Sequence, residues 1–179
     1  YGYEVFFNDN LKTFVDDLRR AQPTIFISVP RLWTKFQAGV TDKLPEKKQR
    51  VLFRLPILSG FIKKKILRQL GLENVRYAAT GSAPLSAETL GWYRSLGLEL
   101  LEGYGMSENF GYSHGTQPGK ARVGYVGHSN PGVETRIAEN GEILVKSPAT
   151  MLGYFKQPDK TAEDLTDDGF LKTGDMGEI

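Results

Sequence analysis

The sequence predicts an α/β fold, in which a partial parallel α/β layer is followed by an antiparallel β-barrel subdomain. Residues 75–101 have the pattern strand, helix, strand, which is typical of parallel strands joined by a right-handed crossover. After about Gly115 the helical spacing disappears, and glycines separate short runs of alternating residues. We therefore predict an α/β subdomain over 1–114 and a β-barrel-like subdomain over 115–179.

A helix and a buried strand are predicted before the crossover. Asn10 is a suitable N-cap for a helix, because the apolar residues after it follow the i, i+3, i+4, i+7 spacing. Pro23 and Pro30 bound the β-branched run 24–29, which is typical of a buried strand in a parallel sheet. A further helical stretch follows Pro30.

The crossover itself has clear boundaries. Residues 75–80 predict a strand, which is broken by the small residues that begin with Gly81. Ser86 is a good N-cap for the next helix, and Gly97 ends that helix. A second strand is predicted over 98–101.

The clearest local signal in the second half is a hairpin. Asn140 and Gly141 lie between two alternating runs, 133–137 and 143–145. An Asn-Gly pair between such runs is a strong indication of a β-hairpin.

Composition excludes several classes of protein. The chain has 179 residues and no Cys, so disulfide frameworks and thiolate metal sites are ruled out, and its two His argue against a multi-His zinc site. The net charge of +2 gives no argument for a nucleic-acid partner. The absence of a signal peptide and of Cys favours a cytoplasmic location. The first residue is not Met, and this suggests a segment of a longer chain.

Charge is unevenly distributed along the chain. Residues 47–70 contain eight basic residues and no acidic residue, whereas residues 133–179 contain ten acidic and five basic residues. Two interpretations of the basic stretch over 58–68 remain open. The favoured one is a surface helix with a solvated charged face, and the other is an amphipathic helix that contacts an anionic membrane peripherally.

Two glycine-rich loops are predicted at the carboxyl ends of neighbouring strands, where open α/β sheets bind ligands. The second loop adds an aromatic ring, a hydroxyl and a carboxylate, from Tyr104, Ser107 and Glu108. A ring can stack on a base, a hydroxyl can bind a phosphate, and a carboxylate can hold Mg²⁺. These residues predict a nucleotide site, and the alternative is a tight turn whose Ser and Glu only begin the next helix.

Several motifs together resemble those of the adenylate-forming enzymes, which include acyl-CoA synthetases, luciferases and peptide-synthetase adenylation domains. In chain order, the motifs are GSAPLS at 81–86, EGYGMSE at 102–108, GEI at 141–143, GY at 153–154 and TGD at 173–175. The segments VPRLW at 29–33 and LEGYG at 101–105 resemble the long-chain fatty-acyl-CoA synthetase branch. The resemblance covers essentially the whole chain.

The resemblance implies cofactor-binding roles for two segments. The residues that match the loop along the adenine are Gly81, Ser82, Ala83 and Pro84. The residues that match the segment under the adenylate are Glu102, Gly103, Tyr104, Gly105 and Met106. Within that segment, Tyr104 matches the stacking ring.

Three further residues match catalytic or ligand-binding positions. Ser107 stands where the family usually has Thr, so a hydroxyl is retained for a phosphate contact. Glu108 matches the carboxylate that holds the catalytic Mg²⁺. Asp175 matches the aspartate that accepts hydrogen bonds from both ribose hydroxyls, a task that suits an ionised carboxylate.

The function implied is that of an ATP- and Mg²⁺-dependent long-chain fatty acid–CoA ligase, with fatty acid, ATP and CoA as its small-molecule substrates. One alternative is an adenylation domain that loads an acid onto a carrier protein, and another is a non-catalytic module that binds an adenylate or a partner. The family's phosphate loop, ribose-binding Arg and C-terminal catalytic Lys are not matched within the 179 residues. We therefore expect the chain by itself to be inactive, and to self-associate through an exposed face of its sheet.

Overall fold

The structure, a computed structural model, describes residue 2 and residues 4–179. The chain divides into two compact units, Tyr1–Leu101 and Glu102–Ile179. These two units are defined by contacts between residues in the structure, whereas the predicted boundary at residue 114 was placed where the sequence pattern changes. The boundary at 114 therefore stays a prediction.

The first unit combines helices with parallel strands. Strands β1 (Ile25–Ser28) and β2 (Tyr77–Thr80) pair in parallel, with Ile25 opposite Tyr77, and β3 (Leu100–Tyr104) follows β2 in the strand order. This confirms the predicted α/β class. The elements are α1 Phe14–Ala21, β1 Ile25–Ser28, α2 Pro30–Lys43, α3 Glu46–Leu52, α4 Leu58–Leu70, β2 Tyr77–Thr80, α5 Ala87–Leu96 and β3 Leu100–Tyr104, whose end belongs to the second unit.

Helix α5 has the ends that the sequence predicts. The Ser86 hydroxyl accepts a hydrogen bond from the Thr89 backbone N–H at 3.2 Å. This contact satisfies one of the N–H groups that a helix N-terminus leaves without a partner. Gly97 ends the helix in the left-handed conformation, with φ of 91°.

The predicted start of α1 is wrong by several residues. The helix begins at Phe14, and its N-cap is Thr13. The Asn10 side chain instead accepts hydrogen bonds from the backbone N–H groups of Lys12 and Thr13, at 2.9 and 3.2 Å. Asn10 therefore closes a turn before the helix, because its short polar side chain competes with the helical bonding pattern.

The core of the first unit is built around an aromatic cluster. Trp33 and Tyr93 are fully buried, with ring centroids 5.0 Å apart and an edge-to-face arrangement. Phe26 packs on Trp33 at 5.2 Å, and Trp92 packs on Tyr93 at 4.8 Å. The Tyr93 hydroxyl donates to the Trp33 carbonyl oxygen at 2.8 Å, so the buried phenol has a partner.

Apolar side chains on β1 and beside it remain exposed. Ile25, Ile27 and Val29 alternate with Phe26, which points into the core. An exposed apolar face of this kind supports the expectation of self-association. Self-association itself stays a prediction.

The second unit is rich in antiparallel strands. The elements after β3 are β4 His114–Gly115, β5 His128–Ser129, β6 Glu134–Ile137, β7 Glu142–Lys146, α6 Pro158–Asp164 and β8 Leu171–Met176. β7 pairs antiparallel with both β6 and β8, and the end of β3 pairs antiparallel with β4. The predicted hairpin is confirmed, with Gly141 at φ of 88° in its turn. Closure of these strands into a barrel stays a prediction.

The basic stretch forms a regular helix, α4, which packs Ile66 and Leu70 into the core of the first unit. Among the residues that the structure describes, no helix is long and apolar enough to cross a membrane.

Candidate functional site

The predicted adenine loop directly follows β2 in the first unit. Gly81 is half-buried, and the three residues after it are exposed: Ser82, Ala83 and Pro84. Ser82 adopts the left-handed conformation with φ of 69°, which is uncommon for a residue other than glycine. The loop therefore presents small side chains and accessible backbone at the carboxyl end of its strand.

The other predicted residues lie in the second unit, in a segment that runs from the end of β3 into a tight turn. Glu102 is anchored through its backbone N–H, which donates to the Thr116 hydroxyl at 2.6 Å. Gly103 is exposed and lies opposite Gly115 of β4. After Tyr104 and Gly105 the chain leaves the strand.

The turn is a short 3₁₀ helix, Ser107–Asn109, closed by hydrogen bonds at both ends. The Asn109 side-chain oxygen accepts from the Met106 N–H at 2.9 Å, and the Gly111 N–H donates to the Met106 carbonyl at 2.8 Å. Ser107 is exposed and Glu108 is half-buried. The turn therefore fixes the backbone from which both side chains project.

Tyr104 and Asp175 are brought together from positions 71 residues apart. The Tyr104 hydroxyl donates to Asp175 Oδ2 at 2.7 Å. Burial raises the pKa of Tyr104 to about 12, and the nearby Asp175 carboxylate acts in the same direction. The hydroxyl therefore keeps its proton at neutral pH and holds an exposed carboxylate in place. His114 lies beside the Tyr104 ring, with centroids 5.8 Å apart.

Glu108 belongs to a second polar cluster, which contains two carboxylates, a phenol and an amine. The Tyr154 hydroxyl is 2.8 Å from Glu108 Oε1 and 2.9 Å from Asp164 Oδ2. Lys160 Nζ lies 2.8 Å from Asp164 Oδ2, an i, i+4 pair on α6. A phenol has one hydrogen to donate, so Glu108 and Asp164 share a single donor.

The electrostatics of this cluster follow from its hydrogen bonds. The bond to Glu108, then burial and the bond to Asp164, raise the pKa of Tyr154. The bond to Lys160 lowers the pKa of Asp164, and the same contact raises the pKa of Lys160. At neutral pH Asp164 is therefore a carboxylate, Lys160 an ammonium group and Tyr154 a neutral phenol.

The Glu108 cluster and the first two residues of the TGD motif line one cavity of about 330 Å³. Thr173 and Gly174 of that motif precede Asp175 on β8. The complete lining is Met106, Glu108, Glu142, Tyr154, Lys160, Asp164, Leu171, Lys172, Thr173 and Gly174. The cavity thus joins two of the sequence motifs that were assigned to nucleotide binding.

The residues that line this cavity can supply only some of the ligands that Mg²⁺ requires. Within the part of the chain that the structure describes, no group of three or more acidic or His side chains forms a metal cage. Mg²⁺ is commonly held by one or two carboxylates, with waters and substrate phosphates as its other ligands. A half-buried Glu108 at the edge of a cavity fits that mode of binding.

Sequence reasoning assigned no role to Tyr154, Lys160 or Asp164. Tyr154 lies within a quoted motif, and the spacing of Lys160 and Asp164 is a visible i, i+4 pair. Their contact with Glu108 depends on tertiary structure, since Glu108 and Tyr154 are 46 residues apart.

Comparison with known proteins identifies the family. Residues 3–155 match the model of the AMP-binding enzymes. This chain belongs to the AMP-binding enzyme family. The match covers most of the chain, including the predicted adenine loop, the Tyr104 segment and the Glu108 turn.

Relatives and solved structures agree with this assignment. The chain is 32% identical to the putative fatty-acid–CoA ligase fadD11 of Mycobacterium tuberculosis, over 100% of this chain and 36% of the relative. It is 34% identical to human long-chain-fatty-acid–CoA ligase 1, over 97% of this chain and 29% of the relative. The AMP-bound A-PCP didomain of the carboxylic acid reductase from Segniliparus rugosus is 26% identical, with a TM-score of 0.72 over 97% of this chain and 25% of that structure. The chain therefore spans about a third of the length of the curated relatives it matches.

Proposed function

We propose that this chain forms part of an ATP- and Mg²⁺-dependent long-chain fatty acid–CoA ligase. The reaction converts fatty acid, ATP and CoA into acyl-CoA, AMP and pyrophosphate through an acyl-AMP intermediate. The observation that carries the proposal is that the Glu108 turn and Thr173 and Gly174 of the TGD motif line the same cavity. Similarity to fatty-acid–CoA ligases supports the choice of acid and acceptor.

The chemistry needs positioning and charge, with no covalent intermediate on the protein. A carboxylate oxygen of the fatty acid attacks the α-phosphorus of ATP, and pyrophosphate leaves. The CoA thiolate then attacks the acyl carbon, and AMP leaves. Each step transfers a group between bound substrates, so no nucleophilic side chain of the protein takes part.

Each candidate site residue has a separate role in binding ATP or Mg²⁺. The Tyr104 ring stacks on the adenine, and Asp175 accepts hydrogen bonds from both ribose hydroxyls. Ser107 contacts phosphate through its exposed hydroxyl. Glu108 would hold Mg²⁺, which, when bound, supplies positive charge to offset that of the triphosphate.

A second candidate function is the loading of an acid onto a carrier protein. It is favoured by the similarity to the carboxylic acid reductase structure, whose A-PCP didomain was solved with AMP. Both functions share acyl-AMP formation and differ only in the thiol that accepts the acyl group. Location in the cytoplasm is proposed for either function.

The test uses the complete natural polypeptide that carries this chain. Supplied with ATP, Mg²⁺ and a long-chain fatty acid, it should release pyrophosphate and transfer the acyl group to CoA. Transfer only to a phosphopantetheinylated carrier protein would favour the second function, and AMP binding without pyrophosphate release would contradict both. The 179-residue chain by itself is the control, and we expect no turnover from it.

Tyr154→Phe tests whether the shared phenol positions Glu108. Removal of the hydroxyl leaves Glu108 and Asp164 without their common donor, so the Glu108 carboxylate loses its fixed orientation. In the complete natural polypeptide, we expect the Mg²⁺ concentration for half-maximal acyl-AMP formation to rise about threefold to tenfold. A change of this size corresponds to the free energy that one hydrogen bond typically contributes.

Tyr112→Phe is the matched control. Its hydroxyl donates to the Pro131 carbonyl at 3.2 Å, at an exposed position of the same unit. An equal change in the Mg²⁺ requirement of both variants, or no change in Tyr154→Phe, would contradict the positioning of Glu108 by Tyr154.

A further inference from the structure

A cluster of exposed apolar side chains lies where α3 ends and α4 begins. The cluster consists of Val51, Leu55, Ile57, Leu58 and Phe61. Ile57 is 97% exposed and Phe61 is 69% exposed, so neither side chain contributes to the core of the unit. Large apolar side chains grouped in this way on a surface indicate an interaction site.

The backbone holds this cluster in a compact turn. The Arg54 N–H donates to the Val51 carbonyl at 3.1 Å, and the Ser59 N–H donates to the Leu55 carbonyl at 3.1 Å. Ile57 has φ of 67° and ψ of −55°, and the Leu58 N–H donates to the Pro56 carbonyl at 2.7 Å. Ile57 is therefore the central residue of a γ-turn, a rare and strained conformation. Apolar side chains are therefore exposed on an ordered turn.

Helix α4 carries positively charged side chains next to the apolar cluster. Leu58 and Phe61 are three residues apart, and Lys64 and Lys65 follow Phe61 at the next turn on the same face. The opposite face carries Ile66, which packs into the core. The outward face of α4 is thus apolar at its start and basic further along.

The charged side chains in this stretch of the sequence all have one sign. Arg50 and Arg54 are exposed beside it, and residues 47–70 include no acidic residue. We call the five apolar residues together with Arg50, Arg54, Lys64 and Lys65 the apolar–basic surface.

We propose that the apolar–basic surface binds a membrane that contains anionic lipid. Phe and Leu side chains insert at the boundary between headgroups and acyl chains, while Lys and Arg reach the phosphates through their flexible stems. Clusters of four or more basic residues beside apolar side chains favour anionic bilayers. A protein partner fits less well, because Lys is depleted from the centres of protein interfaces. Nucleic acid fits less well too, because it offers nothing to the exposed aliphatic side chains.

The experiment is flotation of the complete natural polypeptide with lipid vesicles in a density gradient, because aggregated protein does not float. Vesicles of phosphatidylcholine are compared with vesicles that also contain phosphatidylserine, at low and high salt. We expect flotation with the anionic vesicles only, and loss of much of it at high salt.

Charge reversal tests the basic part of the surface. Each basic side chain near an anionic membrane strengthens binding about fivefold, so Lys64→Glu with Lys65→Glu should weaken it by at least about 25-fold. The matched control is Lys120→Glu with Lys156→Glu, an equal change of charge at exposed positions of the second unit. An equal loss in both double variants would show that only net charge matters, and would overturn the proposal.

Two substitutions test the apolar part. Ile57→Gly should weaken flotation severalfold with no loss of thermal stability, because glycine adopts the positive φ there without strain. Phe61→Ser should weaken it similarly, whereas Phe155→Ser, at an exposed position of the second unit, should not. The proposal would be overturned if the unsubstituted protein did not float, or if both apolar variants floated as well as it does. It would also be overturned if RNA displaced the protein from the vesicles and the two apolar substitutions had no effect on binding.

Discussion

Glu108→Ala should lower the rate of acyl-AMP formation by about 10²–10³-fold in the complete natural polypeptide, a loss typical for one charge-stabilising group. The carboxylate projects from a closed turn at the edge of the cavity, and the Tyr154 hydroxyl fixes one of its oxygens. The alanine variant loses the proposed Mg²⁺ ligand. The measurement is fatty-acid-dependent pyrophosphate release.

Two further variants separate charge from shape at this position. Glu108→Gln keeps an oxygen that can accept from Tyr154 but removes the negative charge, so we expect it to resemble the alanine variant in rate. Glu139→Ala, at an exposed position of the β6–β7 hairpin, should keep the normal rate. Normal adenylation by Glu108→Ala would remove Glu108 from the proposed mechanism.

Gly105→Ala should destabilise the second unit by about 2 kcal/mol or more, and should disturb the Glu108 turn as well. A Cβ at residue 105 would lie 2.5 Å from the Gly111 carbonyl carbon and 2.7 Å from its Cα. Both atoms belong to the backbone that closes the turn, so the clash can be relieved only if the turn opens. Denaturant unfolding followed by circular dichroism measures the loss.

Gly115→Ala is the matched control in the same unit. A Cβ there meets the Asn130 side-chain oxygen at 3.6 Å, an ordinary contact distance. We expect stability close to that of the unsubstituted protein. Equal destabilisation by both substitutions would mean that close packing against Gly111 is not the cause.

Features determined by neighbouring residues were predictable from the sequence. Ser86 and Gly97 end their helix as predicted, because capping depends on residues within one turn. The β6–β7 hairpin formed for the same reason, since Gly141 supplies the positive φ that its turn requires. Asn10 was assigned wrongly because Asn stabilises a turn as readily as a helix start.

Contacts between distant residues were beyond sequence reasoning. Tyr104 was predicted as a stacking ring. The residues next to it in the sequence give no indication of its hydrogen bond to Asp175. The sharing of Tyr154 between Glu108 and Asp164 likewise depends on how the second unit packs. The role of each site residue stays a prediction, and the substitutions above are its tests.

The aromatic core of the first unit gives the chain a selective optical probe. Both tryptophans of the sequence, Trp33 and Trp92, lie in the first unit and flank Tyr93. Tryptophan emission, excited where tyrosine does not absorb, therefore follows the melting of that unit only. The second unit, which contains Tyr104 and Glu108, does not contribute to this signal, and its melting is followed by probes of backbone structure. Separate melting curves in the two signals would reveal whether the units unfold as one cooperative body.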